Sequence, residues 1–156
     1  MSRNIKSRHV SSWMLIASGV WLLGLGIYFI AIRPPLLPED LRFMGTTLTQ
    51  IQSGVPGLEP WLERVFTVLG GFMAGAGVLT VFVAIVTMPL RLKGTSWVIA
   101  FSGVFTVGLM SATNFALHSD FRWLLLVPAL VWLAGLVLHV TSGVRSKRDD
   151  HFNEDN

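Results

Sequence analysis

Cysteine is absent from this 156-residue chain, which removes disulfides, thiolate metal sites, cysteine nucleophiles and thiol redox chemistry together. Charge is scarce too. Asp, Glu, Lys and Arg make up 13% of the residues, about half of the ~25% that a soluble globular domain carries. The sequence holds no phosphate loop, no Gly-x-Ser-x-Gly elbow and no dinucleotide fingerprint. It also has no His-x-x-x-His or Glu-x-x-His spacing, so no metal and no cofactor is expected.

What the chain has is apolar length. Hydrophobic residues make up 52% and the mean hydropathy is +0.60. Residues 13–32, 65–88, 95–117 and 123–143 form four runs without Asp, Glu, Lys or Arg. A helix of ~20 residues at ~1.5 Å each matches a hydrocarbon core of ~30 Å. None of the runs alternates with period two as a barrel strand would, and backbone groups in lipid must be satisfied internally. The expectation is an all-α, four-helix transmembrane bundle formed as a single integral membrane domain over 1–156. The first run follows Arg3, Lys6 and Arg8 but is longer than a signal-peptide core, and reads as an uncleaved signal anchor.

The net charge of +3 and pI near 10.0 do not point to nucleic acid, because the basic residues sit in short clusters beside the apolar runs. Arg3, Lys6, Arg8, Arg91, Lys93, Arg145, Lys147 and Arg148 fall on one side, and Arg33, Arg42, Arg64 and Arg122 on the other. The excess places both termini and the 89–94 loop in the cytoplasm. Trp13 and Trp97 then fall at the inner boundary and Trp61 and Trp123 at the outer one, where amphipathic rings prefer to lie. Trp21 and Trp132 fall deeper, where packing on other helices is expected.

Short loops at 89–94 and 118–122 predict that spans two, three and four are sequential antiparallel neighbours. The outer connection, 33–64, is long enough for structure of its own. Pro34, Pro35 and Pro38 end the first span. Leu41, Met44, Leu48 and Ile51 then share one face of an amphipathic helix that begins near Pro38 and stops at Gly54. This extracytoplasmic helix is expected on the membrane surface or over the mouth of the bundle. Pro60 suits the first turn of the next helix. The polar tail, 147–156, is expected to be flexible.

Two constellations stand out. Gly71-x-x-x-Gly75 in the second span, with Gly108 and Ala112 in the third, supplies small residues that let helix backbones approach in lipid. They serve either the bundle's own packing or a contact with another chain. At the outer end, Asn114, His118, Asp120 and Arg122 lie close in sequence and face the connection bearing Arg33, Glu39, Asp40 and Arg42. These eight residues are the candidate outer polar cluster, either as a site or as an ion-pair network holding the long loop. His118 and His139 sit near opposite boundaries, too far apart to share one haem iron within a chain. With no Asp, Glu, Lys or Arg inside any span, a proton-coupled transporter is disfavoured.

The segments RPPLLPEDLRFMG at 33–45, VLGGFMAGAG at 68–77 and SDFRWLLL at 119–126 resemble a family of small bacterial four-span membrane proteins without an assigned activity. The resemblance extends to about residue 142 and implies a bacterial cytoplasmic (inner) membrane. In architecture alone the chain is similar to DoxX-like proteins, some of which are associated with quinone-linked oxidation; no cofactor residue carries over. The expected role is non-catalytic, that of an accessory or interaction subunit contacting lipid and either a membrane protein partner or further copies of itself. The alternative is a protein that binds or acts on a lipid, quinone or other amphiphile at the outer polar cluster.

Overall fold

A computed structural model of the chain describes the backbone of residues 2–90 and 92–154, with side chains over 9–90 and 92–143. Six helices form among the described residues, and no strand. They are α1 Ser2–Ala31, α2 Pro38–Met44, α3 Leu48–Gly54, α4 Leu58–Leu90, α5 Thr95–Ala116 and α6 Arg122–Glu154. Segments of α1, α4, α5 and α6 are long and apolar enough to cross a bilayer, and their most apolar windows are only 22–28% buried within the protein. Most of that apolar surface faces outward, which water would not tolerate over such an area. The chain is a multi-pass membrane protein. Among the basic residues that indicate orientation, Arg91 and the side chains of Arg3, Lys6, Arg8, Arg145, Lys147 and Arg148 lie outside the described residues.

α1 packs against both α4 and α6, and α5 packs along α6. The α1–α4 contact is made by glycine pairs two turns apart on each helix. Gly26 meets Gly70 and Ala74, and Gly19 meets Gly77 and Thr80. A Cβ on Gly77 would come 2.7 Å from the Gly19 carbonyl oxygen, so only glycine permits the approach. Close backbone approach raises the packing contact that drives association in lipid. It also makes α1 the principal neighbour of α4, where the short 89–94 loop had pointed to α5. α4 and α5 meet in the core cluster of Leu15, Ala84, Met88, Ile99, Val107 and Trp132.

Trp132 is the largest side chain in that cluster and is 3% exposed. Its indole N–H donates to the Ile99 carbonyl at 3.0 Å, and its ring lies on Gly103, where a Cβ would collide with it. Trp132 thus packs internally as expected, whereas Trp21 faces outward at 37% exposure. Trp13, Trp61, Trp97 and Trp123 are all at least 60% exposed. One turn earlier on α6, Ser18 donates to the Pro128 carbonyl at 3.3 Å and ties that helix to α1.

Two π-helical turns interrupt the spans. In α4 one covers Val83–Thr87, ending where Met88 N–H donates to the Val83 carbonyl. It ends two positions before Pro89, whose ring would crowd a regular α turn and whose missing N–H would leave a carbonyl unpaired. The helix therefore carries Pro89 in its last turn rather than stopping before it. The other covers Val104–Gly108 in α5.

The outer connection departs from expectation. The single amphipathic helix is two short helices joined at Gly45, which takes a left-handed conformation with φ 65° and caps α2 by donating to the Arg42 carbonyl. Thr47 then caps α3: its hydroxyl accepts the Gln50 N–H, and the Gln50 side chain accepts the Thr47 N–H at 3.0 Å. At the other end of the chain, α6 continues to Glu154 rather than yielding to an irregular tail. No glycine or proline follows Gly143, and a nucleated helix propagates without a breaker.

Candidate functional site

The candidate polar cluster forms where α1 ends. Pro34 and Pro35 stop the helix, and Arg33 folds back over the break. It donates to the Pro34 carbonyl at 2.9 Å and to Asp40 Oδ2 at 3.3 Å. Its guanidinium lies 3.6 Å from the centroid of the Phe66 ring on α4 and 5.1 Å from that of Phe29. Only 9% of the Arg33 side chain is exposed. This cation is enclosed by an anion, a carbonyl and two ring faces, which together replace its water.

Asp40 has a second role. The same Oδ2 accepts the Leu37 N–H at 2.9 Å, closing the first turn of α2 as a carboxylate at the third helical position does. Asp40 therefore starts α2 and fastens it to α1 at once.

The opposite side of α2 is tied to the α5–α6 loop. Glu39 is 7% exposed and accepts the Ser119 hydroxyl at 3.1 Å. Ser119 Oγ in turn accepts the Phe121 N–H. Arg42 and Asp120 pair at 2.7 Å, with both side chains about 60% exposed. The loop itself is set by His118, a non-glycine residue at φ 51°, while Ser119 N–H reaches back to the Asn114 carbonyl. This is a left-handed helix ending of the Schellman kind.

The remaining members of the cluster look elsewhere. Asn114 bonds back to the Met110 carbonyl of its own helix at 2.9 Å, and the His118 residue is exposed. Arg122 donates its backbone N–H to Ser119 in the turn that begins α6. Arg33 and Asp120 thus belong to separate pairs. Sequence reasoning missed Ser119, Phe29 and Phe66, which complete these contacts. Ser119 sits beside Asp120 in a turn, but nothing local reveals that its partner is Glu39, eighty positions away. No group of three or more His, Asp or Glu positioned to hold a metal occurs among the described residues.

The small-residue candidates divide differently. Gly71 and Gly75 are exposed, and a Cβ on either would meet nothing within 4 Å. The intramolecular packing uses Gly70 and Gly77 instead, because one position around the helix turns ~100° away. Gly71 and Gly75 line a shallow, open apolar groove with Val68, Phe72, Ala76 and Leu79, all on α4. Ala112 is exposed, and Gly108 is half-buried against the Gly103 carbonyl of its own helix.

Comparison with family models, with curated proteins and with solved structures gave no match for this chain.

Proposed function

We propose that this protein is a small, non-catalytic accessory or interaction subunit of a bacterial cytoplasmic membrane, with both termini inside and the α2–α3 connection outside. The carrying observation is the outward-facing groove at Gly71 and Gly75. The fold leaves this small-residue face unused, having built its own interface from Gly70 and Gly77. Bare glycine backbone spaced four residues apart is the surface on which a second transmembrane helix packs most closely. The charges of the outer cluster support the same reading, since Arg33–Asp40 and Arg42–Asp120 each tie one segment of the chain to another.

Extraction of the tagged protein from its native membrane in mild detergent, followed by mass spectrometry, tests this function. A stoichiometric protein that co-elutes with the wild type and is lost with Gly71→Leu/Gly75→Leu is the expected result. Elution of the wild type alone, or with only a small amphiphile, would overturn it and favour a ligand-binding role.

A further inference from the structure

The α2–α3 hairpin carries four large apolar residues that the protein does not cover. Phe43 is 63% exposed, Met44 47%, Leu48 41% and Val55 56%. Each lies one helical turn from a buried or half-buried residue. Phe43 follows buried Glu39 by four positions, and Met44 follows half-buried Leu41 by three. Leu48 precedes buried Ile51 by three, and Val55 follows it by four. Residues three or four apart share a helix face. Phe43 therefore shares the face of buried Glu39, and Leu48 that of buried Ile51.

The hairpin is also held at the level where the spans end. Arg33–Asp40 ties its start to the end of α1, and Glu39–Ser119 and Arg42–Asp120 tie α2 to the tight loop between α5 and α6. α3 is fastened to the start of α4 by Gln52, which donates to Glu59 at 2.9 Å. Each helix is seven residues long, about 10 Å, so neither reaches far above the bundle. Ile32 at 68% and Trp61 at 60% are likewise exposed at the ends of the adjoining spans.

We infer that the hairpin is a membrane-interface element: Phe43, Met44, Leu48 and Val55 overhang the edge of the bundle and insert at the headgroup–acyl boundary of the adjacent leaflet. Thr49 and Ser53, each two positions from buried Ile51 and exposed, face water on the opposite side. The partner is the lipid surface. This inference rests on the four long helices spanning the bilayer, and holds whichever side the hairpin occupies.

The absence of native cysteine allows a direct test. Single variants Phe43→Cys, Leu48→Cys, Thr49→Cys and Ser53→Cys, with Phe72→Cys as a mid-span control, are labelled with an environment-sensitive fluorophore. They are then reconstituted into phosphatidylcholine–phosphatidylglycerol vesicles. Quenching by nitroxide lipids labelled near the headgroup is compared with quenching by iodide loaded on both sides. Labels at positions 43 and 48 should be quenched by the nitroxide several-fold more than those at 49 and 53, with the reverse order for iodide. Equal quenching at all four hairpin positions, or shielding of 43 and 48 from both quenchers, would overturn the inference; the second result would assign the surface to a protein. A label at position 72 open to iodide would instead overturn the spanning assignment itself. Met44→Cys and Val55→Cys carry the same expectation and replace any variant that elutes abnormally.

Discussion

Gly26 and Gly70 pack backbone against backbone. A Cβ on Gly26 would come 2.6 Å from the Gly70 carbonyl oxygen, and a Cβ on Gly70 would come 2.6 Å from that of Gly26. The contact lies between rigid helix backbones, with no flexible side chain to yield, so even a methyl group forces the helices apart.

Gly26→Ala and Gly70→Ala should each destabilise the isolated protein by ~1–3 kcal/mol, the usual penalty of overpacking. Gly71→Leu and Gly75→Leu should leave that stability within ~0.5 kcal/mol, as substitutions away from packed features do. Thermal or denaturant unfolding of purified protein in detergent measures both. A large loss of monomer stability at Gly71 would show that this glycine packs within the bundle.

The Arg33–Asp40 and Arg42–Asp120 ion pairs should behave differently on substitution. Arg33→Gln strips a half-buried carboxylate, a carbonyl and a ring face of their cation, at a loss of ~2–4 kcal/mol, as for breaking a largely buried pair. Arg33→Lys should recover only part of this, since a planar guanidinium stacks and forks where an ammonium does not. Arg42→Gln, in a pair with both members exposed, should change stability by under ~1 kcal/mol and lose its effect at high salt.

Trp132 and Gly103 should couple. Trp132→Phe removes the indole donor to Ile99 at a cost of ~1 kcal/mol. Gly103→Ala drives a methyl group into the indole and should cost ~1–3 kcal/mol. Because the smaller ring vacates part of that space, the double variant should be less destabilised than the sum of the two. Strict additivity in a double-mutant cycle would show that the side chains do not share the strain.

Topology is checked by fusion reporters. A reporter after Asn156 should behave as cytoplasmic and one inserted near Gly54 as external. The reverse pattern would overturn the count of Lys and Arg on the two sides.

The break in the outer connection shows how much could be read locally. Gly45 and the Thr47-x-x-Gln50 spacing are recognisable stop and start signals, but the apolar positions from Leu41 to Ile51 keep a helical rhythm across them. Periodicity had therefore suggested one helix. The pairing of Glu39 with Ser119 had no local signal of any kind, since one lies in α2 and the other in the α5–α6 loop, and they meet only when α6 packs against α1.

The sequence by itself determined the number of spans, because twenty-odd consecutive apolar residues have no alternative to a helix in lipid. It did not determine where each helix ends: α4 starts at Leu58, seven residues before its uncharged run, and carries Pro89 in its last turn, and α6 continues past Gly143. Only the tertiary structure decided which glycines pack. Gly70 and Gly71 are chemically identical and adjacent, yet one lies against Gly26 and the other faces outward. The choice depends on how α4 is rotated about its axis, and that rotation follows from the simultaneous fit of α1 against α4 and α6. No local residue pattern encodes it.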